Sequence, residues 1–109
     1  MIKVTFTGSP KKLSLRLEGH AEYAEHGKDI VCASASILAH IFGVAILEFD
    51  EGLEVDSVVD LTSGDTTIEC NCKNDVTYQI VSNAYRYTKL GYALLEHNYP
   101  QYVRLNAPT

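Results

Sequence analysis

Two side chains in the stretch GHAEYAEHGKDIVCASAS, residues 19–36, could together perform nucleophilic chemistry: Cys32 and His20. A cysteine thiolate attacks carbonyl carbons, and a histidine within hydrogen-bond reach can take the thiol proton and return it to a leaving group. Asp29 is a suitable N-cap residue, which would make Cys32 the third residue of the first helical turn. Free backbone N–H groups and the helix dipole favour the thiolate there, so the sequence predicts an activated cysteine.

Each of these residues also has a plainer interpretation. His20 follows Gly19 where a strand is expected to end, and it could be a solvated histidine at a turn. Cys32 could be a small buried residue. His26, in the loop beside Gly27, is a rival base. Residues alone leave these assignments open.

The residues around the cysteine have further candidate roles. Asp29 could cap the helix, orient a histidine or contact a substrate. Ser34 and Ser36 could supply hydroxyl donors near a developing oxyanion, as could backbone N–H groups at the helix start, that of Cys32 included. The small residues 33–36 leave room for a close approach, either by a peptide or by another helix.

Hydrophobic periodicity predicts the elements that must position these side chains. Alternating apolar residues predict strands, and apolar residues spaced by three and four predict helices. The strands are expected at 2–6, 13–19, 53–61, 66–72 and 102–107, and the helices at 29–48 and 76–98. The order β-β-α-β-β-α-β over residues 1–109 predicts a single α+β domain, with a mixed sheet packed by two long helices.

The sequence also predicts which faces of the two helices pack against other elements. The apolar face of the first is expected to consist of Ile30, Val31, Ile37, Leu38, Ile41, Ala45 and Leu47. In the second, Tyr78, Tyr85 and Tyr92 recur every seven residues, which is more typical of a packing or dimer face than of a nucleic-acid platform.

Composition limits the partners and the compartment. The chain of 109 residues has a net charge of −5 and a pI near 5.2, so direct nucleic-acid binding through phosphate contacts is not expected. A basic peptide or protein is a compatible partner, although the acidity could simply keep the protein soluble. The N-terminal residues do not resemble a secretory signal, and no apolar run is expected to span a membrane. We therefore expect a cytoplasmic protein with free thiols.

Metal and cofactor sites are not expected. Cys70 and Cys72 form a C-x-C pair on a predicted strand, with no second pair at zinc-finger spacing. Their side chains should face the same way and pack, half-buried, in the sheet. Nucleotide-binding loops are absent from the sequence.

The whole block 19–36 resembles the signature of the Prp family, the bacterial ribosomal-processing cysteine proteases. That signature runs G-H-A, Y-A, a glycine and D-I-V-C-A, with a serine four residues after the cysteine. The matching residues are Gly19, His20, Ala21, Tyr23, Ala24, Gly27, Asp29, Ile30, Val31, Cys32, Ala33 and Ser36.

The resemblance implies a cysteine endopeptidase with Cys32 as nucleophile and His20 as base, supported by Asp29, Ser36, Gly19 and Gly27. Family members remove the N-terminal extension of large-subunit ribosomal protein number twenty-seven, act as homodimers and have a rearranging loop between the two residues. Two alternatives from the residues are a non-catalytic module that binds a basic ribosomal protein and a redox-sensing thiol protein.

Overall fold

Five strands and two helices form the chain, in the predicted order. The computed structural model describes residues 1–25, 27–49 and 54–107. The strands are β1 (Ile2–Ser9), β2 (Lys12–Glu18), β3 (Val55–Thr62), β4 (Asp65–Cys72) and β5 (Val103–Asn106), and the helices are α1 (Ile30–Phe49) and α2 (Asp75–Asn98).

The sheet is mixed, as predicted, with the strand order β3-β4-β2-β1-β5. β5 runs parallel to β1, whereas the other neighbours are antiparallel. The first hairpin is longer than expected, because pairing continues to Ser9 and Lys12 and only residues 10–11 form the turn. Lys11 completes this turn with a φ of 68°, in the left-handed region.

Both helices cover one face of the sheet, since buried and exposed residues alternate along the strands. The predicted apolar face of α1 is wrong in most of its members: Ile30, Ile37, Ile41 and Leu47 are more than half exposed. Val31 is buried as predicted and Leu38 is partly buried, and the helix otherwise packs through Ala35, Ala39, Phe42 and Ile46. The small residues Ala35 and Ala39 share this inner side with the large residues Phe42 and Ile46, so hydrophobic spacing alone did not identify the buried face.

The expectation about apolar runs also needs correction. Residues Ile30–Glu48 form a helix that is long and apolar enough to cross a membrane, judged by length and composition alone. Its inner side nevertheless belongs to the core of the domain, where Phe42 packs edge-on against Tyr85. A core helix of this kind passes the same test as a spanning helix.

The tyrosine spacing on α2 is a packing feature. Tyr85 and Tyr92 are buried and meet Phe6 edge-on, with ring centroids 5.1 and 5.7 Å away. The hydroxyl of Tyr92 donates to the carbonyl oxygen of Ala35 at 2.7 Å, which ties α2 to α1. That bond holds the helix that carries Cys32.

Cys70 and Cys72 are buried in the sheet rather than half-buried, and both are free thiols. Burial raises the pKa of the Cys70 thiol to about 12 and raises the pKa of Cys72 as well. Within the described part of the chain, no group of metal-ligating side chains is large enough to hold an ion.

Candidate active site

His20 lies just beyond the end of β2, and backbone contacts define its place. Gly19 turns the chain with a φ of +91°, and a Cβ atom there would lie 2.6 Å from the carbonyl oxygen of Met1. The Met1 ammonium group donates to the carbonyl oxygen of His20 at 2.6 Å. On the other side, the N–H of Gly19 donates to the carbonyl oxygen of Gly64 at 2.9 Å. The imidazole is exposed while its backbone is held between two neighbours.

Cys32 lies in the first turn of α1, as predicted. The Oδ1 atom of Asp29 accepts hydrogen bonds from the backbone N–H groups of Val31 at 3.0 Å and Cys32 at 2.9 Å. Asp29 is therefore the N-cap residue. The N–H of Cys32 is already bonded in this arrangement, so it is not a free donor for an oxyanion.

The second oxygen of Asp29 binds the loop that connects β2 to α1, called the loop below. Its Oδ2 atom accepts from the N–H groups of Tyr23 at 2.9 Å and Ala24 at 3.3 Å. Desolvation alone would raise the pKa of the Asp29 carboxyl, but the hydrogen bonds from Cys32, Ala24 and Tyr23 outweigh it and leave the pKa below its ordinary value. One carboxylate thus fastens the loop to the start of the helix.

The loop also reaches the sulfur atom. The backbone N–H of Ala21, the residue after His20, donates to Sγ of Cys32 at 3.3 Å. Such a bond stabilises a sulfur that carries negative charge. Among the described residues, no direct hydrogen bond joins the imidazole of His20 to the thiol of Cys32, although both side chains line the same two cavities.

The larger cavity, which we call the loop-side groove, has a volume of about 450 Å³ and lies between the loop and the start of α1. Its lining comprises His20, Glu22, Ala24, Gly27, Asp29, Cys32, Ala33, Ser36 and Ser63. A smaller inner pocket of about 140 Å³ continues from the two candidate residues toward Leu17, Ala39 and His40. The groove is open to solvent, and its size suits a peptide segment or small ligand.

Aromatic contacts anchor the middle of the loop. The ring of Tyr23 meets the rings of Tyr99 and Tyr102 edge-on, with centroids 5.6 and 5.1 Å apart. We call these three residues the tyrosine cluster. It joins the loop to the segment that leads into β5, so packing contacts hold the loop at Tyr23.

The remaining predicted residues occupy different positions. Ser36 is exposed and lines both cavities, and Gly27 lines the loop-side groove with a φ of +87°. The hydroxyl of Ser34 donates to the carbonyl oxygen of Ile30 at 2.7 Å, so it is already engaged in the helix. His26, the rival base, lies outside the described residues.

The small residues after Cys32 serve two surfaces. Ala33 and Ser36 face the loop-side groove, whereas Ala35 is buried and receives the Tyr92 hydrogen bond. The packing of another helix is therefore present at Ala35, while Ala33 and Ser36 lie open to the groove.

Sequence reasoning missed the β3–β4 turn. Ser63 and Gly64 line the inner pocket, and Gly64 lies directly against the imidazole of His20. The turn reaches this place because β2 pairs with β4, with Glu18 opposite Asp65. The residues 62–65 read as a turn in the sequence, but their neighbour in space depends on the strand order. Glu22 of the groove was also missed.

A cysteine at the start of a helix, facing the same groove as a histidine on a strand end, is an arrangement suited to acyl transfer through sulfur. The class that the fold and this arrangement define is a cysteine hydrolase. A family model described as the cysteine protease Prp matches residues 1–104, and the chain belongs to that family.

Solved structures agree with this assignment. The ribosomal processing protease Prp from S. aureus, in complex with a covalently linked product peptide, is 27% identical, with a TM-score of 0.76 and coverage of 98% of this chain and 99% of that one. A structure of the same protease with a substrate peptide gives 25% identity, a TM-score of 0.71 and the same coverage. SMU.848 from Streptococcus mutans is 29% identical, with a TM-score of 0.70 and coverage of 98% and 93%.

A comparison with curated proteins finds no match. The family model and the solved structures are therefore the basis of the assignment. They identify a cysteine protease with the predicted fold, and they leave the roles of individual residues to the geometry.

Proposed function

We propose that the chain is an endopeptidase in which Cys32 is the nucleophile and His20 the general base, and that it removes the N-terminal extension of large-subunit ribosomal protein number twenty-seven. The observation that carries the proposal is that both side chains line one open groove in a member of the Prp family. The S. aureus relative was solved with a substrate peptide and with a covalently linked product peptide, which supports a peptide substrate here.

The chemistry proceeds through a thioester. His20 takes the proton of the Cys32 thiol, and Sγ forms a bond to the scissile carbonyl carbon. The tetrahedral intermediate collapses as the carbon–nitrogen bond breaks, and the leaving amine receives the proton from His20. Water, deprotonated by His20, then attacks the thioester, which releases the carboxylic acid and restores the thiol.

The backbone N–H of Ala21 stabilises negative charge on the sulfur of Cys32. It donates to Sγ at 3.3 Å in the free protein, so it stabilises the charge that develops when His20 takes the proton. Because Asp29 occupies the N–H of Cys32, the Ala21 group is the better-placed donor for negative charge in this arrangement.

Charge supports a basic substrate. The chain carries a net charge of −5, and the carboxylates of Glu22 and Asp29 line the loop-side groove beside the two candidate residues. A peptide from a basic ribosomal protein would be attracted to this surface, mainly through a faster association.

We further propose that two copies associate through the outer sides of the helices. Ile37 and Ile41 of α1 and Leu90 and Leu94 of α2 are each more than half exposed. They flank one helix crossing, where a Cβ atom on Gly91 would lie 2.6 Å from the side chain of Leu38. An apolar surface of this kind is typical of an interface, and a homodimer would bury it. Sedimentation equilibrium should give a dimer, whereas a monomer at all concentrations would contradict this.

A cytoplasmic location is part of the proposal. The chain has three cysteines, an odd number that leaves at least one free thiol, as is usual in a reducing compartment. Family membership favours the protease over the binding module and the redox-sensing thiol protein.

The test is cleavage of the unprocessed ribosomal protein, followed by intact-mass spectrometry. The wild-type chain should release the extension at one site, and the Cys32→Ala variant should release none. Cys70→Ala is the matched control, because it removes a buried thiol that faces away from solvent and should leave cleavage intact. Equal cleavage by wild type and Cys32→Ala, or none by a folded wild type, would refute the proposal.

A further inference from the structure

The imidazole of His20 has a glycine as one of its close neighbours. The ring is exposed, and it lies against Gly64 in the turn between β3 and β4. A Cβ atom built on Gly64 would fall 2.6 Å from Nε2 and 2.9 Å from Cε1 of the ring. Carbon atoms require about 3.5 Å or more, so the ring occupies space that any other residue would fill.

We propose that Gly64 is a positioning residue for His20. Because glycine has no side chain, it leaves room for the imidazole to lie in the cavities that Cys32 also lines. The inference rests on the proposed role of His20 as general base. It extends the site to the β3–β4 turn, which neither the signature block nor the proposed mechanism includes.

The turn is fixed relative to the histidine, so a new side chain could not simply move away with the backbone. The carbonyl oxygen of Gly64 accepts from Gly19, the residue before His20, at 2.9 Å. The strands below are paired up to Glu18 and Asp65. The hydroxyl of Thr66 closes the turn by donating to the carbonyl oxygen of Thr62 at 3.1 Å.

The mobile partner in this contact is therefore the imidazole. A Cβ atom on residue 64 would displace the ring from the space that it shares with Cys32, while the strands on both sides stay paired. The expected loss is one of catalytic geometry, since a displacement of about 1 Å can lower a rate by about 100-fold.

Gly64 has a second property that the experiment must separate from the first. Its φ is +79°, a conformation that alanine adopts only with strain. Gly27 shows that the two properties are separable: its φ is +87°, yet among the described residues beyond its chain neighbours no atom lies within 4 Å of the position that its Cβ would occupy. A left-handed glycine in this chain does not in itself imply contact with a catalytic group.

Two substitutions at this position distinguish the properties. Gly64→Ala introduces a Cβ atom and backbone strain, whereas Gly64→Asn introduces the same Cβ atom in a residue that tolerates positive φ. We expect kcat for cleavage to fall about 100-fold in both variants, with KM little changed. The asparagine variant should have the higher Tm.

A recovery of kcat together with Tm in Gly64→Asn would overturn the inference, because the role of Gly64 would then be confined to the turn. Wild-type kcat in either variant would overturn it as well. His20→Ala gives the reference level: adding Gly64→Asn to it should cause no further loss, and an additive loss would contradict action through His20.

A measurement without substrate keeps this inference separate from the proposed function. In the wild-type NMR spectrum we expect a nuclear Overhauser effect between the α-hydrogens of Gly64 and the Cε1 hydrogen of His20. Its absence would overturn the inference even if cleavage were established. If the contact is present but the folded wild type does not cleave the precursor, the proposed function fails and the contact remains.

Discussion

Substitution of Asp29 should separate the two structural roles of its carboxylate. One oxygen caps α1 through the N–H groups of Val31 and Cys32, and the other holds the loop through those of Tyr23 and Ala24. Asp29→Ala removes both acceptors. Asp29→Asn retains one carbonyl oxygen for the cap, since asparagine is as good an N-cap as aspartate, but turns an NH₂ group toward the donors of the loop.

The expected loss of stability follows from the number of these hydrogen bonds and from their exposure to water. Loss of the cap costs about 1 kcal/mol. The two loop bonds are exposed to water, so each contributes about 0.5 kcal/mol, at the low end for hydrogen bonds. Asp29→Ala should therefore lower the free energy of unfolding by about 2 kcal/mol, and Tm by about 8–16 °C. Asp29→Asn should lose only about half of that, since the cap survives.

The pH dependence has a definite sign. The pKa of the folded Asp29 carboxyl lies below its ordinary value of 3.8, so its stabilisation is fully present above that value. It is lost as the pH falls through 3.8 toward the folded pKa. The difference in stability between the wild type and Asp29→Asn should thus shrink under acidic conditions, because the amide does not titrate.

Thermal unfolding followed by circular dichroism, at neutral pH and near pH 3, measures these differences. Hydrogen exchange at the amides of Tyr23 and Ala24 reports the loop directly and should accelerate in both variants. An Asp29→Ala variant within about 0.5 kcal/mol of wild type would refute the reasoning. Equal exchange rates at those amides in wild type and Asp29→Asn would show that the carboxylate does not hold the loop.

Three further predictions concern the surroundings of the site. Tyr92→Phe removes the hydroxyl bonded to Ala35 and should cost about 1 kcal/mol in urea unfolding, whereas Tyr85→Phe removes a buried hydroxyl that has no partner among the described residues and should cost nothing or stabilise. Equal losses of stability in Tyr92→Phe and Tyr85→Phe would contradict these two expectations. Cys70, with a pKa raised by burial to about 12, should resist alkylation in the folded protein at neutral pH, and peptide mapping that finds rapid labelling would contradict its burial. Tyr23→Ala breaks the tyrosine cluster and should raise KM for cleavage more than it lowers kcat, and unchanged kinetics would show that the cluster does not set the loop.

The sequence was informative wherever a local pattern determines the structure. Alternation and helical spacing predicted the element order, and Asp29 was identified as a cap because the capping bond spans only three residues. The contact between Gly64 and His20 could not be predicted, because it joins residues far apart in the chain through the pairing of β2 with β4. A glycine in a turn has the same local pattern whether or not a histidine lies against it.

The buried side of α1 was missed for a related reason. Hydrophobic spacing favoured the large residues Ile37, Ile41 and Leu47, yet the core takes Ala35 and Ala39 together with Phe42 and Ile46. Ile37 and Ile41 then remain on the outside, where the proposed dimer would cover them. Hydrophobicity alone could not distinguish a core from an interface.

The central claim is that His20 and Cys32 act as one pair, and alkylation of Cys32 by iodoacetamide as a function of pH tests it without any substrate. Labelling at about pH 6 should be faster than that of a free cysteine in the wild type, and His20→Ala should slow it at least about 10-fold. The two proteins should react alike once the pH is high enough to ionise any thiol. A Cys32 that reacts no faster than free cysteine, or at a rate unaffected by His20→Ala, would contradict the claim.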